Sequence, residues 1–244
     1  MERKGTELIS FCIPFRSEEL YRCMAFEFVS NWIAHCGIAR GAEVLIGDPP
    51  GEFTRSGARN KAAAQATGDV LIFLDADSIP SFKGLRDAVS IALSNGWCFP
   101  YDEYVSLTKE ATLRWYTERD EITFMPETDF EFIFPGPDPN DRPASVGACV
   151  VVTREAFEAA GKWDERFVGW SFEDRAFATA LGAVAGPLTR IPGERIYHLW
   201  HPAPETERFG QPFMEYNRAL WQEYLQYEHD SFAMKQYIAN RNAT

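Results

Sequence analysis

Residues 70–74, VLIFL, form an unbroken apolar run that passes directly into the carboxylates of Asp75 and Asp77. Continuous apolar character over strand length predicts a central parallel strand covered on both faces. Carboxylates at the carboxyl end of such a strand stand at the crevice where open α/β sheets take ligands. One alternation apart, the two can share a hard divalent cation with phosphate oxygens, so D-x-D reads here as a magnesium or manganese diphosphate site. The competing reading is structural, because aspartates after a strand often cap the next helix and a lone D-x-D is a weak motif.

The flanks alternate strand and helix. Leu8 to Ile13 reads as a first strand closed by Pro14. Residues 17–36 read as a helix capped by Ser17, with Leu20, Met24, Phe28 and Trp32 four apart and Gly37 ending it. Glu43 to Ile46 is a second strand, followed by the loop GDPPGEFT and a small-residue helix from Ser56 that Gly68 stops. Beyond Asp77, Ser81 caps a helix whose Phe82, Leu85, Val89 and Leu93 are expected in the core, with Asn95-Gly96 as its end. Such alternation predicts a parallel sheet with right-handed crossovers, its loops at 14–16, 47–55 and 75–80 meeting in one crevice.

The second half is less regular. Tyr104 to Arg119 reads as helix. Asp120 to Asp141 carries seven acidic residues, no Lys or Arg and four prolines, which makes it a long irregular insertion. Val146 to Val152 returns to strand, Arg154 to Ala160 to helix, and a loop then feeds a helix over about 172–181. Arg195 to Trp200 makes a late strand, and 212–238 a single aromatic-rich amphipathic helix.

Charge and cysteine usage narrow the function. A net charge of −12 repels nucleic acid and anionic membrane, so a phosphate ligand needs a local cation. Cys12, Cys23, Cys36, Cys98 and Cys149 form no C-x-x-C pair and read as reduced, mostly buried thiols. The N-terminus lacks a signal-type apolar core, and no apolar run approaches the roughly 18–20 residues of a membrane span, so the expected location is cytoplasmic.

IPFRSEE, EFTRSGARNKA, FLDADSIP and FVGWSFEDRAF occur in this order, and over residues 8–202 the chain resembles nucleotide-diphospho-sugar transferases of the GT-A fold. The resemblance is to the group of β-1,4-galactosyltransferases, bacterial family 2 enzymes and polypeptide N-acetylgalactosaminyltransferases. It implies a Rossmann-like α/β domain over 1–205, with a mostly parallel central sheet flanked by helices. Residues 8–100 would form the nucleotide-binding half, 101–205 the acceptor and catalytic half, and 206–244 a C-terminal helical extension. It assigns Pro14, Phe15, Arg16, Phe53, Arg55, Arg59, Asn60, Asp75 and Asp77 to the nucleotide-sugar, with Arg59 alternatively bracing Asp75 by a salt bridge. Trp170 and Glu173 would contact the acceptor, and Asp174 would be the base that deprotonates its hydroxyl. At a helix N-terminus the dipole is expected to keep that carboxylate ionised near neutral pH.

The metal, Mn²⁺ or Mg²⁺, is implied on Asp77, with Asp75 in or near its shell. A histidine after the late strand completes the set: His198 is preferred for its register, and His201 becomes an i, i+3 partner if the chain turns near Pro202. The resemblance thus implies an inverting, metal-dependent hexosyltransferase that uses a UDP-sugar and a glycan, protein or small-molecule acceptor. A retaining transferase and a non-catalytic sugar- or nucleotide-binding module are the alternatives. Ser171 and Phe172 depart from the family, which has glycines there.

Overall fold

The computed structural model describes residues 8–39, 41–118, 126–134, 145–169, 171–202 and 213–243. Strand β1 (Ile9–Pro14) leads through helix α1 (Leu20–His35) to β2 (Glu43–Gly47), and helix α2 (Arg55–Gln65) leads to β3 (Val70–Leu74). The apolar run is β3, every residue of it buried. β1 lies between β2 and β3 and pairs parallel with both, Phe11 opposite Val44 and Ile72. Small side chains let α2 lie close on this sheet, with Ala58, Ala62 and Ala63 buried. The approach is so tight at Gly47 that a Cβ there would sit 1.7 Å from the Ala58 carbonyl oxygen.

Helix α3 (Phe82–Asn95) is capped as the sequence predicts. Ser81 Oγ accepts from the Gly84 amide, and Gly96 ends the helix at φ 91°. The buried faces of α1 and α3 match expectation only in part, with Trp32 and Leu85 buried as read. Leu20 is 65% and Phe82 46% exposed, while Ala25, Val29, Trp32 and Ile33 of α1 and Gly84, Leu85, Ala88 and Ala92 of α3 are buried. Helix α1 also begins later than residue 17. Glu19 caps it by accepting from the Tyr21 and Arg22 amides, and Ser17 Oγ accepts from the Glu19 amide.

After β4 (Ser78–Pro80) and α3 come the short β5 (Trp97–Cys98) and β6 (Glu103–Leu107), then helix α4 (Lys109–Glu118). Residues 104–107 are therefore strand, not the start of a helix. The helix begins only after Thr108, whose Oγ1 accepts from the Ala111 amide. Within the acidic insertion the described part is a 3₁₀ turn over Glu127–Asp129 and β7 (Phe130–Phe134). The remainder of 120–141 lies outside the described residues.

The chain continues through β8 (Cys149–Thr153), α5 (Arg154–Ala159), α6 (Glu173–Ala185) and β9 (Arg195–His198). The main sheet has the order β2-β1-β3-β8-β5, in which β8 alone runs against the other strands. A second sheet, β4-β9-β6-β7, adjoins the carboxyl end of β3. The C-terminal segment is two helices, α7 (Met214–Leu225) and α8 (Ser231–Ala243), not one. Asp230 causes the break, its Oδ1 accepting from the Phe232 and Ala233 amides to start the second helix. Leu220, Tyr224, Met234 and Ile238 from this pair enter the same core as Phe11 and Phe73. Among the described residues no helix is long and apolar enough to cross a membrane.

Candidate active site

Parallel pairing brings the carboxyl ends of β1 and β2 level, Pro14 opposite Gly47, with the Phe15 amide donating to the Gly47 carbonyl at 3.1 Å. An open cavity of about 660 Å³ lies there, lined by Phe15, Arg16, Ser17, Glu18, Ile46 and Asp48. One face of Phe15 is covered by Phe26, the rings stacked at 4.1 Å and 13°. Arg16 reaches across to the loop after β2. It pairs with the Asp48 carboxylate, donates to the carbonyls of Pro49 and Gly51, and lies 5.6 Å from the Phe53 ring centre. Of the three expected loops, those at 14–16 and 47–55 thus meet, and Arg16 is the tie between them.

Arg59 occupies the junction between the D-x-D strand and the E-D helix. Its side chain, 2% exposed, donates from Nη2 to Asp75 Oδ1 at 2.8 Å and from Nη1 to Asp174 Oδ1 at 3.0 Å. Glu173 Oε1 is 3.8 Å from the same Nη1 and 3.9 Å from Arg55 Nη1. The guanidinium lies 4.3 Å from the Trp163 ring centre. A buried cation among three carboxylates is strongly favoured to stay charged, and here it joins elements distant in sequence. Of the two readings of Arg59, the structure shows the bracing one. The Asn60 side chain is likewise taken up within the protein: its amide donates to the Trp163 carbonyl and Glu165, and accepts from the Trp163 amide.

Asp77 meets both histidines. Antiparallel pairing of β4 with β9 sets Ser78 opposite His198, and the Leu199 amide donates to the Asp77 carbonyl at 2.8 Å. His198 Nε2 lies 3.7 Å from Asp77 Oδ1, and His201 Nε2 lies 3.2 Å from Oδ2. The three donor atoms fall within 4.8 Å of one another, the one such group among the described residues. His201 Nδ1 lies 3.1 Å from the Pro202 carbonyl. That contact makes Nδ1 a donor, so a cation beside Asp77 would meet the Nε2 lone pair of a neutral ring; without one, burial lowers the His201 pKa but the Asp77 carboxylate, accepting from Nε2–H, outweighs it and raises the pKa. Burial works against the Asp77 carboxylate, but the two imidazoles outweigh it and hold the group well below the usual carboxylate range. This mixed nitrogen and oxygen set fits a divalent cation. Asp75 is outside the group, one oxygen being taken by Arg59.

The E-D pair opens α6, with Ser171 at φ 103° and Phe172 at φ 67° just before it. Both are in the left-handed region, where the family's glycines would sit without strain. Glu173 is 4% exposed and faces the two arginines, so it lacks the open face that an acceptor contact requires. Asp174 keeps 25% of its side chain exposed, and Gly147 makes room for it: a Cβ on Gly147 would come within 2.8 Å of Asp174 Oδ2. Its pKa is raised to about 7, first by burial and then by Glu173, against the opposing pull of Arg59. The expected effect of the helix dipole is therefore overridden by the surroundings of the group. Trp170 lies outside the described residues.

Residues 49–160 match the Glycosyl transferase family 2 model. The chain has the GT-A fold. A Drosophila β1,4-galactosyltransferase 7 mutant solved with manganese, UDP-Gal and xylobiose is similar in fold at TM-score 0.51 and 16% identity, over 85% of this chain and 75% of that one. GalNAc-T7 solved with UDP, GalNAc and Mn²⁺ is similar at TM-score 0.54 and 15% identity, over 97% of this chain and 55% of that one. No curated protein matches by sequence.

Two residues that shape this candidate site, Asp48 and Asn217, belong to no motif. Asp48 is the first residue past β2, and only its position at a sheet edge hints at a role. Asn217, fully buried on α7, donates its amide to the carbonyls of Val168 and Ser171 and accepts from the Val168 amide. It thereby holds the loop that leads into Glu173 and Asp174 from a helix more than forty residues away.

Proposed function

We propose that this protein is a glycosyltransferase that moves a sugar from a UDP-sugar to an acceptor hydroxyl, with Mn²⁺ or Mg²⁺ and with inversion at the anomeric carbon. One observation carries the reading: a donor triad of Asp77, His198 and His201 and a base of raised pKa, Asp174, converge on one sheet edge, joined through Asp75 and Arg59. The ligands of the two solved transferases of like fold, UDP-Gal or UDP with manganese, support the choice of donor and metal.

In this reading Pro14, Phe15, Arg16 and Phe53 form the nucleotide end of the site, and Arg55 faces the diphosphate with its guanidinium. A cation held by Asp77, His198 and His201 would supply positive charge beside the leaving diphosphate. Asp174 accepts the proton of the acceptor hydroxyl as that oxygen bonds to the anomeric carbon. The bond to the diphosphate breaks, and its electron pair departs with the nucleotide. Arg59 holds the base at a fixed distance from Asp75. Glu173 is reassigned from acceptor contact to positioning, since it acts on Arg55 and Arg59. Burial raises the thiol pKa of Cys12 and of Cys98 to about 12, which leaves them inert and suits a cytoplasmic protein.

The test is a screen of nucleotide-sugars with Mn²⁺ by ligand-detected NMR, followed by an assay of nucleotide release. A UDP-sugar should bind and be consumed. Failure of every nucleotide-sugar to bind, or turnover that resists a chelator, refutes the reading.

A further inference from the structure

Next to the proposed base, the chain builds a platform that the family pattern lacks. The Phe172 ring stacks on Trp221 of α7 at 5.4 Å and 26°. Arg175 lies 5.8 Å from the Phe172 ring centre and 5.2 Å from that of Trp221, and Arg218 lies 5.7 Å from Phe172. Neither guanidinium has a carboxylate within ion-pair distance among the described residues. In a chain of net charge −12, two such cations on one aromatic stack are a local exception. Phe172 also occupies its place against backbone preference, at φ 67°, and the Asn217 amide clamps the preceding loop at Val168 and Ser171. A bulky side chain held in the left-handed region persists only where the surroundings enforce it, and such positions cluster at binding sites.

We infer that Phe172, Trp221, Arg175 and Arg218 form the acceptor subsite, and that the acceptor is an anionic saccharide carrying a carboxylate or phosphate group. The inference rests on the proposed transfer to a hydroxyl at Asp174. Phe172 precedes α6 and Arg175 lies in its first turn, so the platform is within one helical turn of Asp174 along the chain. Aromatic faces pack against the C–H face of a pyranose, and guanidiniums bind carboxylate and phosphate through paired donors. The same side chains discriminate against a neutral sugar, which would bring neither guanidinium a counter-charge.

The test uses the full chain saturated with UDP, titrated by ligand-detected NMR with methyl glucuronide, glucose 6-phosphate or neutral methyl glucoside. The two anionic probes separate carboxylate from phosphate recognition. We expect at least one of them to bind clearly more tightly than the glucoside, and Arg175→Gln and Arg218→Gln each to weaken it about tenfold, the worth of one charged hydrogen bond. UDP affinity should be unchanged in both variants, which separates this platform from the nucleotide site. Arg218 is exposed, so its substitution does not threaten folding. Equal binding of the neutral glucoside, no binding of either anionic probe, or an anionic-probe affinity unaltered by both substitutions would overturn the inference. Loss of UDP binding by the unsubstituted protein would instead strike at the proposed function.

Discussion

Asp174→Asn is the sharpest perturbation of the proposed chemistry, because the amide keeps the shape of the side chain and removes its basicity. Turnover should fall by about 10² to 10⁴-fold, the usual worth of a general base, while UDP affinity stays near its original value. The pKa adds a second signature. With Asp174 raised to about 7, kcat/KM of the unsubstituted enzyme should climb about tenfold per pH unit below that value and level off above it. The variant should lose this limb.

Stability moves the other way. A carboxyl lifted from 3.8 to about 7 favours folding when protonated. That stability is therefore present below about pH 4 and is lost as pH rises through about 7. At about 1.4 kcal/mol per pH unit the ceiling is about 4 kcal/mol. A side chain that is 25% exposed and hydrogen-bonded to Arg59 recovers part of that cost. We expect Asp174→Asn to be more stable than the original by about 1 kcal/mol at pH 8, a rise of about 2–4 °C in melting temperature, and to lose the advantage at pH 4. Thermal melts at both pH values and a pH–rate series measure these effects. Near-normal turnover of the variant, or a flat profile between pH 6 and 8 in the original, refutes the assignment.

For the metal, Asp77→Ala should abolish transfer, and His198→Ala and His201→Ala should each weaken Mn²⁺ binding about 10- to 100-fold, read by calorimetry; an unchanged affinity in both histidine variants would remove them from the site. For the donor, UDP should bind more tightly than GDP, and Arg16→Ala should lose most of that affinity; a clear preference for GDP in the same titration would point to a different donor. Arg59→Met should destabilise the fold by about 3–5 kcal/mol, because Asp75 and Asp174 lose their buried counter-charge. A denaturant midpoint like that of the original would show that Arg59 is dispensable as a brace.

Local chemistry determined much of this molecule. The apolar run 70–74 coincides with β3, Ser81 and Gly96 cap α3 as read, and the loops after β1 and β2 share one crevice because neighbouring parallel strands end level with each other. Helix faces were harder to read. Rows of large apolar residues marked one side of α1 and α3, yet the helices bury Ala25 and Val29, and Ala88 and Ala92, because small side chains permit closer approach to a sheet. Residues 104–107 look helical alone and become strand through pairing with β9 and β7, which are far away in sequence. The electrostatics of the site depend most on tertiary structure. Arg59 meets Asp174 across a separation of 115 residues, and Asp174 has a raised pKa despite its place in the first turn of a helix. A sequence specifies which groups can ionise, but the energy of a charge depends on burial and on neighbouring charges, and only the folded chain brings those together.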